Sequence, residues 1–162
     1  MKATELANLY RVSHYAVMVN LEGFSNGESL RPGPGGGNCA NWVLGHIVAH
    51  RNLILGLLDE EPALHGAVAE RYKRGSLPIA HERDAAHLEI LVKAFEDSQQ
   101  RLLAALGRAT ELEMAKPAAS PAIPTGDPSV GGQLTFLHFH ESYHAGQLGL
   151  LRRGAGKPGA IR

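Results

Sequence analysis

Cysteine is almost missing from this sequence. The single residue Cys39, in a chain of 162, excludes an internal disulfide framework and fits a reducing, cytoplasmic compartment. Neither sign of charge is in excess. Sixteen Lys and Arg balance sixteen Asp and Glu, so the chain lacks the basic surplus that a nucleic-acid-binding surface normally shows. No apolar run approaches the length that spans a bilayer. The first residues, Met1 to Asn8, hold no apolar signal core and carry an early acid, Glu5. Strand-like alternation and internal repeats are lacking too. What remains is a single helical domain, residues 1–162, expected to meet a small molecule rather than nucleic acid or membrane.

Helical periodicity is present in four segments, at about 3–21, 40–59, 84–106 and 132–153. In the first, Leu6, Leu9, Tyr10 and Val17 form the apolar stripe. In the second, Val43, Leu44, Ile47, Ile54, Leu57 and Leu58 do so, with Asn38 or Asn41 as the expected N-cap. Gly107 stops the third. Arg152, Arg153 and Gly154 suit the C-terminus of the fourth. The connections at 60–83 and 116–132 are rich in Pro and Gly and long for helix hairpins, which suits crossovers in a four-helix bundle. Gly33 to Asn38 is a Gly-rich loop without the Gly-Lys-Ser/Thr ending of a phosphate loop, and it reads as a flexible rim.

Histidine is abundant, with nine in the chain. Two of them, His140 and His144, are one helical turn apart, so both imidazoles leave one helix face, about 40° from each other. Leu137, Leu148 and Leu151 lie on or near that face. Burying two imidazoles costs free energy unless each finds a partner, and a divalent metal satisfies both. His140-Glu-Ser-Tyr-His144 also fits the zincin pattern. That protease reading fails on its third ligand, because no His, Asp, Glu or Cys follows His144.

The third ligand must come from upstream. The second segment holds His46 and His50 at the same spacing, and His46 follows Gly45, which admits a close neighbour. His50 reads as an ordinary helix residue or a group behind the ligands. His138 points away from His140. His14, His65, His81 and His87 read as surface or loop residues. Glu141, about 60° from His144, is the candidate general base or a group that holds a ligand, weighed against a solvent-facing or inter-helix salt-bridging Glu. Gln147 orients a ligand or ties two helices. Trp42 is core or pocket wall. Cys39, near a helix N-terminus, is a thiolate candidate weighed against a buried small apolar residue.

Asn41-Trp-Val-Leu-Gly-His46, followed by His140-Glu-Ser-Tyr-His144-Ala-Gly-Gln-Leu and the tail Leu151-Arg-Arg-Gly-Ala-Gly-Lys-Pro-Gly, resembles the DinB-like superfamily. The resemblance implies an all-α, up-down-down-up four-helix bundle. It also implies a divalent metal, zinc or nickel, on His46, His140 and His144, and a homodimer. Characterised relatives of that kind include transferases that use low-molecular-weight thiols and mycothiol-dependent isomerases. The expectation is therefore a metal-dependent enzyme such as a thiol S-transferase. The alternative is a non-catalytic metal-binding stress-response domain, or one that binds a small molecule.

Overall fold

Four amphipathic segments need a common apolar interior, and in the computed structural model they find it as a bundle. Residues 1–119 and 126–161 are described. The long helices are α1 (Ala3–Leu21), α3 (Ala40–Leu57), α5 (Leu88–Arg108) and α7 (Val130–Gly154). Between them lie the short helices α2 (Asn26–Ser29), α4 (Gly66–Arg71) and α6 (Glu111–Ala115). Among the described residues there is no β-strand. None of the helices is long and apolar enough to cross a membrane.

Each of α1 and α3 packs on both α5 and α7, so the helices follow one another around the bundle as α1, α7, α3, α5. Tyr10 meets Leu134, Ser13 meets Glu141 and Arg152 meets Glu22, so α1 and α7 run parallel. Arg51 meets Glu141 on α7, while His46 meets His144, so α3 runs against α7. Gln99 meets Tyr10 and His14 meets Phe95, which sets α5 against α1. The order is up-down-down-up, as the resemblance implied.

Two apolar clusters fill the interior. One gathers Val17, Leu44, Ile47, Phe95 and Leu148; the other gathers Leu6, Tyr10, Ile54, Leu102 and Leu137. Between them, in register on all four helices, sit Ser13, Arg51, Ser98 with Gln99, and Glu141, all buried. A polar layer therefore crosses the middle of the bundle.

Three expectations about helix ends need correcting. Neither Asn38 nor Asn41 caps α3; Cys39 is the N-cap and makes no side-chain cap bond. Asn41 is drawn into a tertiary bond set instead. Its Nδ2 donates to the Ala86 carbonyl at 2.9 Å, and its Oδ1 accepts from Tyr72 Oη at 2.8 Å. Secondly, α5 starts at Leu88 rather than near residue 84. The Ala86 N–H donates to Tyr72 Oη, which takes that backbone out of the helix, and Asn26 Oδ1 caps Leu88 N–H at 2.9 Å. Thirdly, α3 stops at Leu57, because Asp59 adopts a left-handed φ of 56° and the chain turns. The 116–132 connection expected as loop contains a bridge between Pro117 and Ser129. Its residues 120–125 lie outside the described ones.

The crossover at 60–83 is tied down at both ends. Asn52 on α3 clamps Ala63 and Leu64 through three hydrogen bonds. Further on, the buried Tyr72 ring lies against Gly45, where a Cβ would come within 2.2–2.4 Å of three ring atoms. Ala at 45 gains about 1 kcal/mol of helix propensity. Displacing Tyr72 costs more, so Gly45→Ala is expected to destabilise by roughly 1–3 kcal/mol, the usual range for overpacking. Urea midpoints measure it, and an unchanged or raised midpoint would contradict this contact.

Candidate metal centre

α3 and α7 lie against each other in opposite directions, so pairs spaced by four on each can face one another. Ring atoms of His46, His140 and His144 that could ligate all lie within 4.8 Å of one another. The Nε2 atoms of His140 and His144 are 3.1 Å apart. The His46 ring centroid is 4.9 Å from that of His144 and 5.3 Å from that of His140. His46 and His144 are 4% and 8% exposed, while His140 is half-buried and marks the open side.

Neighbours set the tautomers. His46 Nδ1 lies 2.7 Å from the Tyr72 carbonyl, which can only accept, so Nδ1 carries the hydrogen and Nε2 the lone pair. His144 Nδ1 lies 2.7 Å from Gln147 Oε1, and the Gln147 amide nitrogen in turn donates to Tyr143 Oη. His144 Nε2 is therefore a lone pair too. Carbonyl-oriented imidazoles of this kind are what metal sites use to hold their ligand rings. Two Nε2 atoms 3.1 Å apart, one of them already fixed as an acceptor, fit a shared cation well. The donor set of three imidazoles suits zinc, nickel, copper or iron. No carboxylate or thiol joins the three among the described residues, which leaves an open coordination position.

The surrounding walls are aromatic. Trp42 stacks on His46 at 4.6 Å and donates through Nε1 to Ser76 Oγ at 3.0 Å. Tyr143 meets His144 edge-on at 5.2 Å. His50 stacks on His140 at 4.0 Å, with its Nδ1 hydrogen on the His46 carbonyl, so it stands behind the ligands as one of its two readings held. Gln147 takes the ligand-orienting role. Trp42 is both core and wall.

Other expectations fare differently. Glu141 does not serve as a base at this centre. It is 2% exposed and points between α1 and α3. Its Oε2 accepts from Arg51 Nε at 2.6 Å, and its Oε1 accepts from Arg51 Nη2 at 2.8 Å and from Ser13 Oγ at 2.7 Å. The salt-bridge reading of Glu141 is the one the structure carries. His14 is not a surface residue; it is half-buried and stacked on Phe95 at 4.9 Å. His138 lies away from the centre, with Nε2 bonded to the Leu9 carbonyl. His65, His81 and His87 are exposed, each just before the first residue of a helical segment. Cys39 is buried, and burial pushes its thiol pKa up against the pull of nearby backbone N–H groups, so it is a small apolar residue here and not a thiolate.

A model of the DinB superfamily matches residues 10–148, a span that contains most of α1, both histidine pairs and the polar layer. The chain belongs to the DinB superfamily. No curated protein matches the sequence. Tyr72, Arg51 and Arg74 are the residues of this DinB bundle that sequence reasoning missed. Arg51 had a signal: it falls on the apolar face of α3 between Val48 and Ile54, where a solvated charge does not belong. Tyr72 and Arg74 lie in the crossover, where no periodicity marks them.

Burial, first of all, lowers the pKa of His14, His46, His50, His138, His140 and His144. His50 falls to about 4 and His140 to about 3, each pushed further by neighbouring imidazoles. At neutral pH the rings are therefore uncharged and ready to ligate. In the unfolded chain histidine takes its proton near pH 6.5, before the folded chain does. Stability should be full above about pH 6.5 and fall as pH drops toward the folded values near 4 and 3. Urea midpoints of metal-free protein between pH 8 and 4 test this; a flat profile across that interval would contradict it.

Proposed function

We propose that this chain is a metal-dependent enzyme, a transferase acting on low-molecular-weight thiols, with zinc or nickel on His46, His140 and His144. The observation that carries the reading is the open trio of imidazoles. Two rings have lone pairs fixed toward a common point by the Tyr72 carbonyl and Gln147, and no further protein ligand closes the position. A divalent ion there supplies a Lewis acid that favours thiolate, the nucleophilic form, over thiol. The chain itself holds and orients the ligand rings. Trp42 and Tyr143 wall the mouth, and the half-buried His140 marks the side through which a thiol and its electrophile enter.

The test is consumption of thiol by zinc- and nickel-loaded protein, across a panel of physiological thiols and electrophiles. Activity is expected with at least one pair and is expected to vanish in His144→Ala. Inactivity of metal-loaded protein with every thiol sinks the transferase reading.

A second reading has its own support. With Glu141 committed to Arg51, no carboxylate among the described residues joins the three imidazoles, which suits a metal-binding domain without catalysis. We also carry forward the homodimer. Exposed Val12 and Tyr15 on α1, with Phe139 and Leu150 on α7, supply apolar surface for a second copy to cover.

A further inference from the structure

The crossover does more than hold His46. Its stretch from Tyr72 to Ser76 is pinned at both ends to the metal side of α3, through the Tyr72 carbonyl on His46 and the Ser76 hydroxyl on Trp42. Between these anchors the chain makes a tight turn. Ser76 N–H donates to the Lys73 carbonyl at 3.1 Å, and Gly75 takes a φ of 81°, which favours glycine there. Arg74 occupies the other central position of that turn. That places Arg74 between the two anchors, on the metal side of α3.

The neighbouring cations are all engaged. Arg71 spreads its guanidinium over the carbonyls of Leu77, Pro78 and Asp84, and Lys73 pairs with Glu70. Arg74 is exposed and makes no hydrogen bond or ion pair among the described residues. A rim with one uncommitted guanidinium beside a divalent ion attracts anions. A lone planar fork of N–H donors matches the two oxygens of a carboxylate.

We infer that Arg74 is the anchor for a carboxylate on the small molecule that enters the metal centre. The inference rests on the metal-centre reading and adds the substrate class: a thiol that also bears a carboxylate, with sulfur toward the imidazoles and carboxylate on the guanidinium.

Two ligands of equal length separate the charge from the thiol: 3-mercaptopropionate and its methyl ester. Binding to cobalt-substituted protein is read from the sulfur-to-cobalt absorption band. The acid is expected to bind about 10-fold tighter than the ester, the scale of a hydrogen bond to a charged group. In Arg74→Ala and Arg74→Gln the acid should fall to the level of the ester, with ester affinity unchanged; Arg74→Lys should keep part of the preference. An equal acid-to-ester ratio in wild type, or a ratio that survives Arg74→Ala, overturns the inference while leaving the metal centre standing. Failure to take up cobalt, or failure of both thiols to give the band, overturns the metal-thiol reading and this inference with it. A second readout needs no thiol. Trp42, the one tryptophan of the chain, should change its emission with propionate but not with propionamide, and this response should disappear in Arg74→Ala. A response that persists in the variant counts against the anchor. Because the side chain is exposed, the variants should keep the wild-type urea midpoint, which confirms that any loss is one of binding.

Discussion

Protein carrying His144→Ala is expected to purify without its metal. The same holds for His46→Ala, even though the two residues lie on different helices far apart in sequence. Each substitution removes one of three ligands, so affinity should fall by more than the 10–100-fold that loss of an outer partner usually costs. Gln147→Leu supplies that comparison. It spares all three imidazoles and removes only the acceptor that holds His144 Nδ1, so its loss should lie within about 10–100-fold. Elemental analysis and competition with a chelator measure both effects. Full metal content in either histidine variant would dismantle the centre, and a Gln147 variant as weak as the histidine variants would show that the tautomer argument is wrong.

The second large effect concerns the polar layer. Arg51 is fully buried, with its guanidinium on both oxygens of Glu141 and between the rings of Tyr10 and Phe95, 5.1 and 4.9 Å from their centroids. Removing one partner leaves the other as an uncompensated charge in the interior. Arg51→Met and Glu141→Leu are therefore each expected to cost about 3–5 kcal/mol. The double variant should recover most of that loss, because apolar replacement of a whole buried pair is often close to neutral. Arg51→Lys should not rescue, since an ammonium cannot make the two-pronged contact. Denaturant unfolding of the four proteins measures the coupling. Additive losses in the double variant would contradict a direct pair. The same series separates the two readings of Glu141: a base would lose activity without stability, whereas the ion pair predicts loss of stability.

Much of this was legible from the residues, and the gaps have physical causes. Helix α1 falls on the span that its apolar stripe marks, because the bonds its backbone takes from other helices, at the Leu9 and Tyr10 carbonyls, fall on oxygens with a second lone pair and leave the helical ladder intact. The trio of histidines was legible because spacing by four on two helices is a local property that survives packing. The start of α5 was not legible. Leu88 is capped by Asn26 and Ala86 is held by Tyr72, partners that only the folded chain brings near. Asn41 failed as a cap for the same reason. Arg51 and Glu141 each sit where the apolar stripe of its helix should continue, and that clash of charge with periodicity was the available clue. The crossover residues Tyr72 and Arg74 carry no such clue, since irregular backbone has no period to violate.

The pairing of α1 with α7 has a consequence for how the molecule comes into being. Ser13 and Glu141, joined by a hydrogen bond, are 128 positions apart along the polypeptide. Contacts of such long range are formed late and slow the search for the native state. During synthesis the ribosome releases His46 long before His140 and His144, so the three imidazoles that could hold an ion come together only at the final stage of maturation, and a nascent chain has no such cluster to load.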